Sequence, residues 1–540
     1  MTSRPTSLRT PGGVAVILAA VGGVLFSQSF PPADLWFLLP VAIGLLVIAS
    51  HTERRSIAAV VAIVFGVCAF LPLFAWANIY AGLGPWAALA VFEACYLLLF
   101  ALGSRAVLAR WGHGLLPALA IGVLWAGTEA VRSHVPWGGL PWAASAFSLA
   151  HSPLLNLGPW IGVPGLAVVL GWMGAAVASC LLGLAGRRRD RLDGLGALLP
   201  LLTAALVIAA SVVVPLPRNP SATEPRSLAV TAVQGNVKPP PPGSYYLPEE
   251  MFDNHVAATR TALSNSGAAA SGTRPAHEPD LVVWPEDSTG WNAPSQPSRM
   301  AQVADLSWQA GAPILIGAQV PHGRDNRRNM AILVDENGPT AQQYAKRHPV
   351  PFGEYIPARG FFSRITDKVE LVATDMVAGS EVGVMQVAGA PVGVLICFEI
   401  AYENLVQDVV ADDAQMIVVQ SNNALFGDSD EAIQQLAEAK VMAVVSGRSV
   451  VHISTVGHSA VFTPNGRTIA SLDHWVAGSM QADVPLHTGI TPAMRFGTLI
   501  RWAPVVGSAA VLVLLALIPE RSPAPAQPSR TMPPRRRKTR

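Results

Sequence analysis

A cysteine closes a short apolar run near the middle of the second half of the chain. Residues 392–396 are Val-Gly-Val-Leu-Ile, and Cys397 and Glu399 follow directly. Such a run predicts a buried β-strand that delivers the thiol to its end, where a rigid scaffold can present a reactive group. Free cysteines are also among the most buried residue types. On spacing alone, a core cysteine and a nucleophile are equally well supported.

Two more charged residues follow strand-like segments. Residues 281–284 read Leu-Val-Val-Trp, and a proline, which cannot continue a central strand, separates them from Glu286. Lys346 closes a second strand-like segment, and the Pro- and Gly-containing loop after it carries Glu354. Taken singly, each of these charges is typical of a solvated loop.

Together with Cys397, these residues are chemically sufficient for acyl transfer. A thiol needs a base to become a thiolate, and Glu286 can supply it if burial raises its pKa. Lys346 and a backbone N–H near Cys397 can stabilise the negative charge that develops on oxygen in the intermediate. The three strand ends therefore predict a Glu-Lys-Cys site.

The composition is that of a membrane protein. Of the 540 residues, 51% are apolar and only 13% are charged, whereas soluble domains carry about 25% charged residues. Three of the four cysteines, Cys68, Cys95 and Cys180, lie inside apolar runs, which argues against a disulfide scaffold.

Eight apolar stretches have about the 20 residues that a bilayer-spanning helix needs. Lys and Arg cluster in alternate connections, so the positive-inside rule places both termini in the cytoplasm and residues 217–498 outside. Cys397 is then the only cysteine of the external section. The predicted spans lie near residues 13–30, 34–50, 56–77, 85–104, 114–131, 163–185, 194–216 and 499–518.

These patterns divide the chain into four parts. Residues 1–216 form a transmembrane domain with spans one to seven, 217–498 an extracytoplasmic domain, 499–518 span eight, and 519–540 a disordered, basic cytoplasmic tail. In the external domain strands alternate with helices, which favours an α/β layered fold. The predicted strands are 228–233, 281–284, 314–319, 330–334, 393–396, 416–420 and 450–454, and the predicted helices are 250–264, 299–310 and 430–446.

The external connection 132–162 is rich in tryptophan and glycine. Its tryptophans suit the membrane interface, which predicts a re-entrant or lid-like segment lying on the membrane. At the end of the preceding span, Glu129 and Arg132 are spaced i,i+3, and this spacing predicts an ion pair. Glu93 lies within a span and has no predicted partner.

The order of these motifs resembles the nitrilase superfamily of Glu-Lys-Cys amidases and acyltransferases. Glu286 follows Trp-Pro, Lys346 precedes Pro-Phe-Gly-Glu-Tyr, and Cys397 stands in Ile-Cys-Phe-Glu. Set between seven spans and one, they resemble its membrane-embedded members, which complete bacterial lipoprotein maturation. Smaller matching pieces lie at 139–142, 233–236, 421–422, 491–492 and 495.

The resemblance implies an αββα sandwich and a two-step reaction. Cys397 would take an acyl chain from the sn-1 position of a membrane phospholipid and pass it to the α-amine of a diacylated apolipoprotein. Glu286 would act as general base and acid, and Lys346 would stabilise the tetrahedral intermediates. Supporting site residues would be Glu354, Glu399 and Phe398, and substrate-contact candidates Trp142, Asn422, Leu425 and Phe426.

The resemblance also sets expectations about partners and location. It implies no metal or diffusible cofactor, no nucleic acid, and a monomer in the bacterial cytoplasmic membrane that contacts membrane lipid. The sequence departs from the family pattern at Phe398, Asn423, Leu425, Gln435 and Ala493. The first four replace tyrosine, aspartate, tryptophan and histidine, and Ala493 replaces an aromatic residue.

Two other functions are compatible with parts of the sequence. A membrane-tethered amidase would use the same three residues to hydrolyse a small amide or nitrile, although eight spans are hard to explain for a soluble substrate. A non-enzymatic lipid transporter or sensor would depend on Glu93 and Glu129 instead, and would tolerate replacement of Cys397.

Overall fold

The computed structural model describes residues 9–186, 193–215, 226–238, 248–268 and 278–518. The predicted tail, 519–540, lies outside the described residues. The first part of the chain is helical, and its long α7 is kinked where Gly162 leaves the helical conformation. Its helices are α1 (Gly12–Ser27), α2 (Leu38–Ser50), α3 (Arg55–Leu73), α4 (Ala75–Ala81), α5 (Leu83–Trp111), α6 (Leu115–Arg132), α7 (Gly158–Gly186) and α8 (Asp193–Val213).

Each of the eight stretches predicted to span the membrane overlaps an apolar helix. The helix that overlaps the eighth stretch is α15 (Gly497–Leu517). By length and composition, five helical segments of the described residues can cross a membrane: α3, α5, α6, Pro153–Leu182 and α15. The apolar helices Gly12–Ser27, Leu38–Ser50 and Leu201–Val213 are shorter. Eight spans therefore stay a prediction.

The second part of the chain alternates strands and helices, and every strand and helix predicted for it is found. Its further elements, in chain order, are β1 (Ser227–Gln234), α9 (Pro248–Ala268), β2 (Leu281–Val283), α10 (Pro297–Ala310), β3 (Ile314–His322), β4 (Asn326–Asp335), β5 (Gly338–Ala345), α11 (Arg359–Phe362), β6 (Asp375–Met376), β7 (Val384–Val387), β8 (Ala390–Ile396), α12 (Glu403–Ala411), β9 (Met416–Ser421), α13 (Glu431–Ser446), β10 (Ser449–Ser454), β11 (Ser459–Phe462), β12 (Thr468–Leu472), β13 (Gly478–Pro485) and α14 (Pro492–Arg495).

The strands form two sheets that pack face to face. One sheet has the order β13-β1-β2-β3-β4-β5 with β6 beside β4, and the other has the order β12-β11-β10-β9-β8-β7. In β8, Val394 and Ile396 point into the core between the sheets, while Leu395 points to the opposite face. Helices α9 and α10 cover the first sheet, and α12 and α13 cover the second. These four layers are the predicted αββα sandwich.

The second sheet's helices also meet the helical domain. Residues 141–150 of the outer connection are all buried, and the core that they share extends from the membrane helices to α12 and α13. This stretch packs between the two domains, and its predicted position on the membrane stays a prediction. Trp142 is 2% exposed, whereas Trp137 and Trp160 are 44% and 42% exposed.

The predicted pair of Glu129 with Arg132 is wrong. Arg132 Nη1 instead lies 3.1 Å from Glu93 Oε2 of the neighbouring α5, and both side chains are buried. Glu129 accepts hydrogen bonds from the backbone N–H and the hydroxyl of Ser145. The same Arg132 nitrogen donates to the carbonyl oxygens of Leu140 and Trp142, so the Glu93–Arg132 pair anchors the outer connection.

Candidate active site

Cys397 lies at a sharp turn after β8. The strand ends at Ile396, and a five-residue 3₁₀ turn begins at the cysteine. Cys397 has a φ of +55°, a left-handed conformation that costs a residue with a side chain about 1–2 kcal/mol. The N–H of Ile396 donates to Glu399 Oε2 at 2.8 Å, which holds the turn and leaves the thiol half-buried at the end of the sheet.

Glu286 follows β2 in the facing sheet. Its side chain is buried, and Glu286 Oε1 accepts a hydrogen bond of 2.6 Å from Asn329 Nδ2. Lys346 Nζ lies 3.4 Å from the same oxygen. Burial raises the pKa of Glu286 to about 7 against the opposing charge of Lys346. A carboxyl group that titrates near neutral pH is suited to accept and return a proton.

Lys346 follows β5 directly and is 1% exposed. Burial alone would lower its pKa, but the negative charges of Glu354 and Glu286 outweigh that effect and raise the pKa well above its usual range. Its ammonium group lies 2.7 Å from Glu354 Oε1. Lys346 is therefore a fixed positive charge in a site shielded from water, where such a charge acts strongly on a developing oxyanion.

The two acids predicted to support the site hold its loops. Glu354 Oε2 accepts the N–H of Val350 at 2.7 Å, so its two oxygens join Lys346 to the loop that follows. Glu399 Oε1 accepts the N–H groups of Arg347 and His348. Since Glu399 also holds the turn at Cys397, it ties the ends of β5 and β8 together.

The surroundings of Cys397 favour the neutral form of its thiol. Burial, followed by the negative charge of Glu286, raises the pKa of Cys397 well above its usual range, while Lys346 and a hydrogen bond from Gln435 act in the opposite direction. The structure thus brings the charges of Glu286 and Lys346 to bear on the sulfur. This arrangement fits proton removal by Glu286 during attack better than a preformed thiolate.

Comparison with known proteins identifies the family. The model described as Apolipoprotein N-acyltransferase N-terminal domain matches residues 22–176, and the carbon-nitrogen hydrolase model matches residues 229–491. The apolipoprotein N-acyltransferase of Mycolicibacterium smegmatis is 31% identical over 520 residues, which cover 93% of this chain and 85% of that protein. The chain belongs to the apolipoprotein N-acyltransferase family.

A second relative agrees with this assignment. The apolipoprotein N-acyltransferase of Ralstonia nicotianae is 29% identical over 536 residues, 95% of this chain and 94% of that protein. Among solved structures, a mutant of the Nesterenkonia AN1 amidase from the nitrilase superfamily is 18% identical, with a TM-score of 0.35, and covers 50% of this chain and 93% of its own. The carbon-nitrogen hydrolase part of this apolipoprotein N-acyltransferase family member has the nitrilase fold.

The predicted substrate-contact residues of this family member lie where the two domains meet. Trp142 stacks on Phe398, with ring centroids 5.3 Å apart and an angle of 16° between the planes. Asn422, Leu425 and Phe426 are half-buried in and beside a short 3₁₀ turn at residues 424–426, which follows β9. Phe426 packs against Trp76 of α4, with ring centroids 5.3 Å apart. Aromatic residues of the helical domain therefore contact both Phe398 and Phe426.

Some residues of the site were not predicted from the sequence. Asn329, which binds Glu286, stands in the middle of β4 and is 1% exposed. Asparagine is depleted in strands, and Asn329 stands among the polar residues that directly precede the apolar run 330–334, so little in the sequence distinguished it. Gln435 contacts Cys397 Sγ at 3.4 Å, and Glu431 lies close enough to affect the thiol's pKa. The sequence marked Gln435 only as a departure from the family pattern.

A separate cavity of about 50 Å³ lies between the two domains of the family member. Its lining includes His134, Glu403 and Arg501, and none of Glu286, Lys346 or Cys397. Within the described residues, no group of three or more His, Cys, Asp or Glu side chains is arranged to hold a metal ion.

Proposed function

We propose that this family member transfers an acyl chain from the sn-1 position of a membrane phospholipid, through a thioester on Cys397, to the α-amine of the N-terminal diacylglyceryl-cysteine of an apolipoprotein. Family membership supports this reaction, the final step of lipoprotein maturation. The observation that carries the mechanism is the close approach of Glu286 and Lys346, 3.4 Å apart, beside a thiol on which both charges act.

In the first half-reaction Glu286 takes the thiol proton as the sulfur attacks the ester carbonyl carbon. A C–S bond forms, and the negative charge on the carbonyl oxygen faces the ammonium group of Lys346. The C–O bond to glycerol then breaks, and Glu286 returns the proton to the departing oxygen. The products are a lysophospholipid and an acyl thioester on Cys397.

In the second half-reaction the neutral α-amine attacks the thioester. A C–N bond forms and the C–S bond breaks, while Glu286 moves a proton from nitrogen to the departing sulfur. Water competes with the amine for the thioester, so the site has to be shielded from solvent. The burial of Glu286 and Lys346 and the stack of Trp142 on Phe398 support such shielding.

We also propose that all eight apolar stretches cross the membrane, with both termini cytoplasmic and residues 217–498 extracytoplasmic. Basic residues of separate predicted cytoplasmic segments support this topology, because they gather around one loop. Arg105 donates to the carbonyl oxygens of Thr52 and Glu53, and Arg9 donates to that of Glu53.

Trapping the thioester tests the mechanism. The full-length protein in phospholipid vesicles, quenched without an acceptor, is expected to gain one acyl mass, and peptide mapping is expected to place it on Cys397. Cys397→Ala should abolish the adduct, whereas Cys95→Ala, which alters an exposed cysteine of α5, should retain it. An acylated acceptor formed without any Cys397 adduct would refute the thioester route. Release of ammonia from small amides, with no transfer to lipopeptide, would support the amidase instead.

A further inference from the structure

A buried chain of hydrogen bonds ends on the sulfur of Cys397. Gln435 Nε2 donates to Cys397 Sγ at 3.4 Å, and Gln435 Oε1 accepts from Asn423 Nδ2 at 3.0 Å. Asn423 Nδ2 also donates to Glu431 Oε2 at 2.7 Å, and Asn423 Oδ1 accepts from the hydroxyl of Ser454. The four side chains that lead to the sulfur are each at most 2% exposed.

The partners of each group determine which way the two amides face. Ser454 Oγ accepts the N–H of Gly457 at 2.9 Å, which leaves its hydrogen for Asn423 Oδ1. The nitrogen of Asn423 faces Glu431 Oε2 and Gln435 Oε1, and Gln435 Oε1 also lies 3.3 Å from His452 Nε2. With its oxygen on this side, Gln435 presents its NH₂ group to the sulfur. A Cβ on Gly457 would lie 2.2 Å from Asn423 Oδ1, so the glycine leaves room for this arrangement.

The sulfur carries negative charge at two points of the proposed reaction, when Glu286 removes its proton and when it leaves the thioester. A charged acceptor binds an N–H donor more strongly than a neutral thiol does. We propose that Gln435 is a catalytic residue that stabilises the sulfur at both points, and that Asn423 is a positioning residue that keeps the Gln435 amide turned toward it. This inference rests on the proposed nucleophilic role of Cys397.

The side chains of Asn423 and Gln435 bind each other, so their chemistry has to match. An aspartate at 423 could not donate to the oxygen of Gln435, whereas it could accept from a histidine at 435.

Gln435→Leu tests the bond to sulfur. Losing a hydrogen bond to a charged group lowers the thiolate population by about 10- to 150-fold. The more basic thiolate is also more nucleophilic, which recovers about half of that loss on a logarithmic scale. We therefore expect alkylation of Cys397 by iodoacetamide to slow by about threefold to tenfold, measured by peptide mapping of the full-length protein at one fixed pH.

Gln407→Leu is the matched control. Gln407 lies on α12, donates to the carbonyl oxygen of Met494 at 3.0 Å and accepts from Arg501 Nη2 at 2.8 Å, and it has no bond to the sulfur. We expect its alkylation rate to match the wild type. Equal rates in wild type and Gln435→Leu would overturn the inference, as would an equal slowing in both variants.

A second pair of variants tests the positioning role. In Asn423→Asp the Gln435 oxygen loses its 3.0 Å donor and keeps only the longer contact to His452 Nε2, at 3.3 Å. The NH₂ group of Gln435 then turns to the new carboxylate, and its oxygen faces the sulfur. We expect a loss at least as large as in Gln435→Leu. Adding Gln435→His supplies one ring N–H to that carboxylate and a second to the sulfur, and should restore the rate to within about threefold of the wild type.

The double variant separates a specific role from general damage. Two unrelated structural losses would add, so a double variant slower than Asn423→Asp would overturn the positioning role. Acyl-adduct formation from phospholipid, followed in the same variants, distinguishes this inference from the proposed function. A wild-type protein that is never acylated would refute the reaction and with it the catalytic role of Gln435. Normal acylation with no dependence on Gln435 would refute the inference alone.

Discussion

Replacing Glu399 by glutamine should loosen the link between the loop that follows Lys346 and the turn at Cys397. The carboxylate is fully buried and accepts from both loops that carry reactive groups. Glu399 Oε1 binds the N–H groups of Arg347 and His348 at 2.7 and 3.0 Å. Glu399 Oε2 binds the N–H of Ile396 at 2.8 Å, and both oxygens lie 2.9 Å from the hydroxyl of Tyr344.

The cost follows from the donors that glutamine cannot satisfy. If its oxygen stays with Arg347 and His348, its NH₂ group faces the N–H of Ile396, and one buried donor goes unpaired at about 1–3 kcal/mol. The two remaining backbone bonds lose their charge assistance, about 1 kcal/mol each. The total of about 3–5 kcal/mol is a large share of the 5–15 kcal/mol that stabilises a typical domain.

Thermal unfolding in detergent and acyl-adduct formation measure the two consequences. We expect Tm to fall by at least about 6 °C. We also expect adduct formation to fall by about a hundredfold, since a displacement of about 1 Å between reacting groups has that effect. Glu381→Gln, which removes an exposed carboxylate, is the control for charge and should change neither quantity. A Glu399→Gln protein with wild-type Tm and adduct rate would show that this carboxylate does not hold the two loops.

Three further predictions concern the base and the membrane domain. Because burial raises the pKa of Glu286 to about 7, its basic form is lost as the pH falls through that value, and the acylation rate should drop by about tenfold per pH unit below it; a flat profile over about pH 5–8 would contradict this role. A Cβ on Gly317 would lie 2.7 Å from the Cα atom of Glu286. Gly317→Ala should therefore displace the base and slow acylation by about a hundredfold. Gly360→Ala is the control and should leave the rate unchanged, because a Cβ there meets no atom within 4 Å. Glu93→Gln leaves the buried Arg132 without its ion-pair partner and should cost about 3–5 kcal/mol, seen as a lower Tm; an unchanged Tm would show that the pair contributes little.

The proposed catalytic residues could be predicted because each one follows a strand whose apolar sequence is distinctive. The runs before Glu286 and Cys397 are continuously buried in the structure, and such runs are visible without tertiary information. Lys346 needed its loop as well, since β5 alternates exposed and buried residues and is less apolar. Asn329 of β4 binds Glu286, and Gln435 of α13 binds Cys397. Both contacts join segments that are distant in the sequence, so only the folded structure reveals them.

Charge pairing in the membrane domain shows the same limit. The i,i+3 spacing of Glu129 and Arg132 is compatible with a pair on one helix, but both residues face other elements. Arg132 is satisfied by Glu93 of α5 and by two carbonyl oxygens of the outer connection. Buried charges require several partners, and the sequence does not state which neighbouring helix or loop provides them.

Helix α13 links the membrane domain to the proposed reaction centre through adjacent residues. Gln434 accepts from Trp142 Nε1 of the outer connection, and Gln435 donates to the sulfur of Cys397. Trp142 in turn covers Phe398, the residue after the nucleophile. Removing the helical domain would therefore uncover the ring of Phe398, next to Cys397. It would also take the Trp142 donor away from Gln434, the neighbour of Gln435. The outer connection of the helical domain thus forms a wall of the candidate site through Trp142, so this domain contributes more than an anchor for the nitrilase-fold domain.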